Sequence, residues 1–236
     1  MNNIKNDFSG QSLLNLSINR EKTLPNFYNG NNEKLVAHLL QFLNDDDNEK
    51  IFFIWGDKGM GKSHLLQAAT SHNIEKNKIA FYLPLDNPNR FSIDMLKGIE
   101  NSGLLCIDDI HNISNNHRWE ESIFHLLNKT WENGGKIIVS ADKQKPDIRL
   151  PDLLSRLQWG QSHKLHENND QQKSDFIRFF AELRGFQIKE DATKFILNHY
   201  SRNMNDLALI MEKLDKETLS HSRKASISFI KMILNQ

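Results

Sequence analysis

Residues Gly56-Asp57-Lys58-Gly59-Met60-Gly61-Lys62-Ser63 constrain this chain more than any other segment. They match G-x-x-x-x-G-K-[ST] in full, the pattern of a loop whose backbone N–H groups cradle a polyphosphate. The flanks have the right character. Ile51-Phe-Phe-Ile-Trp55 is a short run of aromatic and β-branched residues, as a buried strand should be. Ser63 to Ala69 reads as a helix with Leu65, Leu66 and Ala69 on one face. A strand, a glycine loop and a helix start bring several backbone N–H groups and a helix N-terminus to one point. Lys62 would neutralise the outer phosphates and Ser63 would hold Mg²⁺, so ADP or ATP with Mg²⁺ is the expected cofactor set. The competing reading is a chance glycine-rich turn, against which the strand-loop-helix context weighs.

Lys+Arg and Asp+Glu both number 30, so the chain lacks the net positive field that drives non-specific DNA binding. With 25% charged and 38% hydrophobic residues, 236 residues suffice for one large domain and one small one. The single cysteine, Cys106, excludes an intramolecular disulfide and fits a reducing cytosol. The opening residues show no apolar signal-peptide core, and no apolar run approaches the about 18 residues of a membrane span. A cytoplasmic protein with no membrane partner is expected.

Residues 1 to about 30 are polar and Asn-rich and read as a poorly ordered arm. Asn32 to Leu43 has helical spacing through Leu35, Leu39, Leu40 and Phe42. Strand-like runs follow at Ile79–Leu83, Leu104–Ile107 and Ile137–Val139, with helical stretches at about Ser92–Glu100 and Trp119–Trp131. This alternation indicates a parallel sheet covered by helices on both faces. After about Leu165 the pattern becomes all helical: Asp170–Leu183, Glu190–Tyr200, Asn203–Leu219 and Ile227–Leu234, with Gly185 ending the first of them.

Leu104-Leu-Cys-Ile-Asp-Asp109 is an apolar strand ending in acids, which a phosphate loop needs to complete its metal site. Asp108 would contact Mg²⁺ through water, and Asp109 would orient an attacking water. Asp109 is shorter than the glutamate many ATPases carry there, which limits its reach. The bland alternative is a surface turn after a buried strand. Lys136-Ile-Ile-Val-Ser-Ala-Asp142 is a further strand whose Asp142 would sense the terminal phosphate, or simply start a loop. Pro151-Asp-Leu-Leu-Ser-Arg-Leu157 is a short helix with Pro in its first turn, and Arg156, taken alone, is a solvated charge.

Taken in order, these segments resemble the AAA+ core of the bacterial replication initiator DnaA and, within that DnaA-related family, its smaller regulatory inactivators. Thr23-Leu-Pro-Asn-Phe-Tyr-Asn-Gly30 is similar to the family's entry motif beside the adenine. The phosphate loop, Leu104–Ile110 and Ile137–Asp142 follow in order. Pro151-Asp-Leu-Leu-Ser-Arg-Leu-Gln-Trp-Gly-Gln161 is similar to the arginine-finger segment, and Arg184-Gly-Phe-Gln-Ile-Lys-Glu190 with the last helices to the lid. The chain stops after the lid helices, where initiators continue into a DNA-binding helix-turn-helix domain. Gln11-Ser-Leu-Leu-Asn-Leu16 resembles the inactivators' clamp-binding peptide, with Ser12 and Asn15 in place of the usual Leu and Pro. In such a peptide Leu14 and Leu16 enter a hydrophobic pocket and Gln11 makes polar contacts.

The resemblance implies an α/β AAA+ P-loop core with a parallel sheet flanked by helices, followed by a small all-α lid. It divides the chain into an arm at 1–22, a nucleotide-binding domain at 23–165 and a lid at 166–236. It implies a negative regulator of initiation: with the DNA-loaded sliding clamp, Arg156 would act in trans on ATP held by DnaA. Direct sequence-specific DNA binding is not expected, a homodimer is among the partnerships admitted, and independent turnover is not expected. One departure concerns the lid, where Asn205 stands at the position expected for a phosphate-contacting arginine. Arg202 lies three residues earlier on nearly the same helical face, and reads either as a substitute or, preferably, as a surface charge. The main competing reading is an autonomous ATPase such as a helicase loader; a third is a plain adaptor whose nucleotide is structural.

Overall fold

The computed structural model describes residues 19, 21–44, 49–90, 92–221 and 224–234. The proposed clamp-binding residues Gln11, Leu14 and Leu16 lie outside them. Helix α1 (Glu33–Asn44) precedes β1 (Ile51–Trp55), the glycine loop and α2 (Lys62–Glu75). Then come β2 (Ala80–Pro84), β3 (Leu104–Asp108), α3 (His117–Glu132), β4 (Lys136–Ala141), α4 (Pro151–Gln158) and β5 (Gln161–Lys164). The five strands form one sheet in the order β2-β3-β4-β1-β5, and every pairing is parallel.

The period-two alternation of strand side chains sorts the apolar runs onto two faces. Phe53, Leu105, Ile107, Ile137 and Val139 point to one side and pack with Ile123, Leu126 and Leu127 of α3 and Leu153 and Leu157 of α4. Phe52, Ile54, Leu104, Cys106 and Ile138 point to the other, against Leu39 and Phe42 of α1 and Leu65, Leu66 and Ala69 of α2. Burying each Phe, Leu, Ile or Val among them contributes about 1.5–3 kcal/mol before chain entropy is counted. A strand buried on both faces reads as a continuous apolar run, which is why Ile51–Trp55 shows no polar alternation. Burial pushes the Cys106 thiol up to about 12, so it serves as packing and not as a nucleophile.

The remaining helices, α5 (Asp170–Leu183), α6 (Glu190–His199), α7 (Met204–His221) and α8 (Ile227–Leu234), surround a separate core that includes Ile177, Ile196, Leu207, Met211, Leu214 and Ile230. A reciprocal Asn169–Gln172 capping box starts α5. Its far end closes at Gly185, in the left-handed region at φ 75°, where the Phe186 N–H reaches the Ala181 carbonyl and the Gly185 N–H that of Glu182.

The structure departs from the sequence reading in four places. The segment Ser92–Glu100 is two short 3₁₀ turns, Ile93–Leu96 and Ile99–Asn101, not one helix. Lys97 is extended and Gly98 is left-handed at φ 91°, and together they break the ladder. Second, Gln161–Lys164 is a strand at the sheet edge, paired with β1. It carries no apolar run because alternate residues face solvent, and it lies close to β1: a Cβ on Gly160 would stand 2.2 Å from the Ile51 carbonyl oxygen. Third, the helical region also carries two short paired strands, β6 (Gln187–Ile188) and β7 (Lys224–Ala225), too brief for periodicity to register. Fourth, the segment before residue 30 is not loose throughout. Phe27 is buried and the Asn26 side chain donates to the Glu21 carbonyl at 2.8 Å; just beyond the segment, the Asn32 side chain bonds the His166 backbone in both directions, at 2.9 and 2.6 Å.

Candidate functional site

The glycine loop leaves β1 at the carboxyl end of the sheet, the end at which open parallel sheets hold ligands. Gly61 adopts φ 102° immediately before α2, and no described side chain caps that end, so its N–H groups face the loop. Gly59 and Gly61 are needed for space as well as for conformation. A Cβ on Gly59 would fall 2.4 Å from Asn203 Oδ1, and one on Gly61 would fall 2.9 Å from the Phe27 ring. The segment before α1 and the start of α7 therefore both close on the loop.

Lys62 is buried, and its ammonium donates to the carbonyls of Gly56 at 2.8 Å and Asp57 at 3.1 Å. The long side chain is thereby folded back along the loop at the height of the strand ends. Ser63 follows in the first turn of α2 and is half-buried, while Asp57 and Lys58 are exposed. Beside the loop, Phe27 meets His64 edge to face at 5.4 Å between ring centres. Burial lowers the His64 pKa, and its Nε2 lies 3.1 Å from the Thr23 carbonyl.

Asp108 ends β3 and is 2% exposed. One carboxylate oxygen accepts from the Tyr82 hydroxyl at 2.7 Å, and the other accepts from Ser140 Oγ. Asp109 has the left-handed backbone φ 55°, ψ 49°, uncommon for a residue with a side chain, and its N–H donates to Ser140 Oγ at 2.8 Å. Burial, and then the neighbouring Asp108, push the Asp109 carboxyl above the usual carboxylate range, with Lys62 opposing. Asp142, one residue past β4, is exposed and has His111 Nδ1 at 3.8 Å. It is Ser140, two residues earlier, that joins the Asp108 cluster. The hard oxygens of Ser63 and Asp108 suit Mg²⁺. Among the described residues no cluster of three or more His, Cys, Asp or Glu is arranged to hold a metal by itself. A magnesium ion there would take its remaining ligands from phosphate and water, its ordinary habit.

Arg156 belongs to a different neighbourhood. Its guanidinium sits over the Trp131 ring at 4.3 Å and the Trp159 ring at 4.6 Å, and donates to Asn128 Oδ1. Trp159 is 66% exposed, so the stack lies at the surface. All three partners come from α3 and the end of α4, none from the glycine loop.

In the helical region Arg202 turns away from the loop. It donates to the Leu197 carbonyl at 2.8 Å and to Asp170 at 2.7 Å, which bears out its reading as a surface charge. Asn205 is exposed, with its N–H bonded to Asn203 Oδ1 at 2.9 Å. The lid residue at the loop is Asn203 itself, with Nδ2 3.4 Å from the Lys58 carbonyl. Sequence reasoning missed Asn203, Ser140, Tyr82, Asn128 and Trp131. Ser140 carried a signal, as a polar residue inside an apolar strand; the others become neighbours only through tertiary packing.

Comparison with known proteins agrees with this arrangement. The family model described as the Bacterial DnaA ATPase domain matches residues 18–164. The chain belongs to the DnaA-related AAA+ family. A model for the Hda lid domain matches residues 170–234. An uncharacterized protein of Haemophilus influenzae is 37% identical over 218 residues, covering 91% of this chain and 94% of that protein. The fold is similar to domain III of the Thermotoga maritima replication initiation protein DnaA, with a TM-score of 0.76 at 20% identity over 91% of this chain and 96% of the other. It is also similar to AMPPCP-bound DnaA from Aquifex aeolicus, with a TM-score of 0.71 at 23% identity over 87% of this chain and 69% of that one. The Thermotoga maritima RuvB branch migration motor is more distant, at 0.60 and 16% identity over 86% and 67%.

Proposed function

We propose that the protein is a cytoplasmic negative regulator of replication initiation that completes the ATPase site of a DnaA molecule. The observation that carries this reading is the placement of Arg156: a half-buried guanidinium that lies over the mutually perpendicular Trp131 and Trp159 rings and donates to Asn128, partners that lie outside the chain's own phosphate loop. A finger arginine of this kind neutralises charge developing on the γ-phosphate of a neighbour, worth about 10³–10⁵ in rate in related systems. Arg156 would leave or pivot on the stack to enter the partner's site, carrying its planar fork of donors.

The chain's own loop would hold ADP or ATP with Mg²⁺ through the backbone of Gly56–Gly61, the Lys62 ammonium, the Ser63 hydroxyl and Asp108, with Asp142 near the terminal phosphate. The structural neighbour from Aquifex aeolicus is described as bound to AMPPCP, which supports nucleotide as the ligand. Asp109 would orient water, and Asn205 in place of an arginine argues for slow turnover of this nucleotide. Bound nucleotide would then brace the loop against Phe27 and Asn203. The sliding clamp would hold the arm through Gln11, Leu14 and Leu16.

The test is single-turnover hydrolysis of ATP pre-loaded on DnaA, with clamp-loaded DNA present. Wild-type protein should accelerate it, and Leu14→Ala with Leu16→Ala should remove that acceleration. Equal acceleration with and without clamp would discard the clamp reading. Absence of any acceleration, with clamp binding intact, would favour the second reading, an autonomous ATPase, for which the intact Lys62 and Asp108 geometry is the motive. That reading predicts steady turnover by the protein alone.

A further inference from the structure

Tyr82 and Gln67 lie outside the glycine loop, yet they join two parts of the molecule that the sequence keeps far apart. The Tyr82 hydroxyl donates to Asp108 at 2.7 Å and accepts from Gln67 Nε2 at 3.2 Å. Gln67 Oε1 in turn accepts the backbone N–H of Asn19 at 3.2 Å. On the other side of Asp108, Ser140 bridges to the Asp109 N–H. A continuous line of hydrogen bonds thus runs from the N-terminal segment, across α2 and β2, to the two acids that follow the apolar run of β3.

Its inner members are enclosed, Gln67 at 8% exposed, Tyr82 9%, Asp108 2% and Ser140 0%, whereas Asn19 at its outer end is exposed. Burying such groups is costly unless each finds its partner, so the inner bonds are favourable only together, and the Asn19 N–H supplies the partner of the Gln67 carbonyl oxygen at the open end. Burial and the adjacent Asp108 hold the Tyr82 hydroxyl protonated, which fixes it as the donor to the carboxylate. Asn19 is itself held in a turn, with its Oδ1 accepting the Glu21 N–H at 3.0 Å and its carbonyl accepting the Lys22 N–H at 2.9 Å. That turn aims the Asn19 N–H at Gln67. An apolar residue at position 67 would pack without these demands.

We infer that Gln67 and Tyr82 are positioning residues that link the entry of the N-terminal arm at Asn19 to the orientation of Asp108. Seating of Asn19 supplies the last donor of the line, fixes the Gln67 amide, and so fixes the hydroxyl that holds Asp108 toward a bound metal–nucleotide. The inference rests on the reading of Asp108 as a Mg²⁺-side residue, but it does not require the clamp or DnaA.

The experiment measures binding of a fluorescent ADP analogue to the full chain, with Mg²⁺ and with EDTA, in a double-mutant cycle. Tyr82→Phe should weaken the Mg²⁺-dependent part about tenfold, as loss of a partner that orients a metal-side carboxylate does. Asn19→Pro deletes the N–H donor and should weaken it about threefold, the size of one neutral hydrogen bond. Asn19→Ala keeps the N–H and loses only the Oδ1 acceptor that helps to set the turn, so it should weaken binding by less than Asn19→Pro does. The double variant should bind no more weakly than Tyr82→Phe alone. Should Tyr82→Phe fail to fold, Gln67→Leu carries the same expectation against Asn19→Pro. As an independent readout, hydrogen exchange at residues 19–22 should slow on Mg²⁺–ADP binding in the wild type and not in Tyr82→Phe. Multiplying effects, about thirtyfold in the double variant, would overturn the inference, as would equal losses from Asn19→Ala and Asn19→Pro. A wild-type chain that binds the analogue but shows no Mg²⁺ dependence would overturn the assignment of Asp108, and one that binds no analogue would overturn the nucleotide reading with it.

Discussion

The glycine loop and the Arg156 stack are built by opposite means. The loop is made of backbone: Gly59 and Gly61 bend it, α2 closes it, and the Lys62 side chain is buried against its carbonyls. The Arg156 site is made of side chains, two tryptophan rings and an amide, on a surface where Trp159 is largely in solvent. A backbone cradle encloses its ligand within one chain. On the proposed reading the arginine is half a site ordered in advance, because rigid placement before contact reduces what association must spend in ordering side chains. This contrast is what the proposed function requires of one molecule that would both hold a nucleotide and act on another's.

The largest effect should come from Arg156→Lys. Lysine keeps the charge but loses both the fork and the stack, so the accelerated hydrolysis of DnaA-bound ATP should fall by at least about a hundredfold, measured in single-turnover assays. If lysine works as well, the stack is not a catalytic presentation. Next, Lys62→Ala should weaken ADP binding roughly 30- to 100-fold by loss of charge-assisted hydrogen bonds, read by titration calorimetry. Intact binding would remove the contrast at its other pole.

Two smaller effects sharpen the contrast. Trp159→Ala should lower acceleration of the partner about two- to fivefold, the worth of one exposed cation–π contact, while leaving ADP affinity untouched. An equal change in both assays would mean that the two regions are not separate. Asp109→Asn should raise stability at neutral pH. The folded pKa of Asp109 lies above the ordinary carboxylate value, so between those two values the native state binds the more protons. Stability therefore falls as pH rises through that window, and the penalty is complete above it. The gain from asparagine, which tolerates the left-handed backbone, should be full at pH 7 and shrink as pH falls through the carboxylate range. Urea melts of both proteins at several pH values check the sign.

How much of this was legible follows from where each signal is stored. Ile51–Trp55, the glycine loop and the start of α2 are local, and the spans of α5 and α8 agree with their apolar spacing residue for residue. Gln161–Lys164 was invisible because an edge strand with one wet face has no apolar run, and its identity depends on pairing with β1. Asp108 was legible as an acid after an apolar strand, but its partners were not. Tyr82 and Ser140 flank it only because β3 lies between β2 and β4, an order that the sequence does not spell out. Asn203 reaches Gly59 only once α7 is docked. Trp159 follows Arg156 by three residues and was locally foreseeable; Trp131 lies on α3 and was not.

The most direct measurement places the label. DnaA is loaded with γ-labelled ATP, the regulator with unlabelled ADP, and phosphate release is followed over a single turnover on clamp-loaded DNA. The account predicts rapid release with the wild-type regulator and release at the unassisted rate with Arg156→Ala, although both forms bind ADP equally. Equal acceleration by the two forms would contradict it, and Arg156 would then be a stacked surface charge with no part in the partner's chemistry.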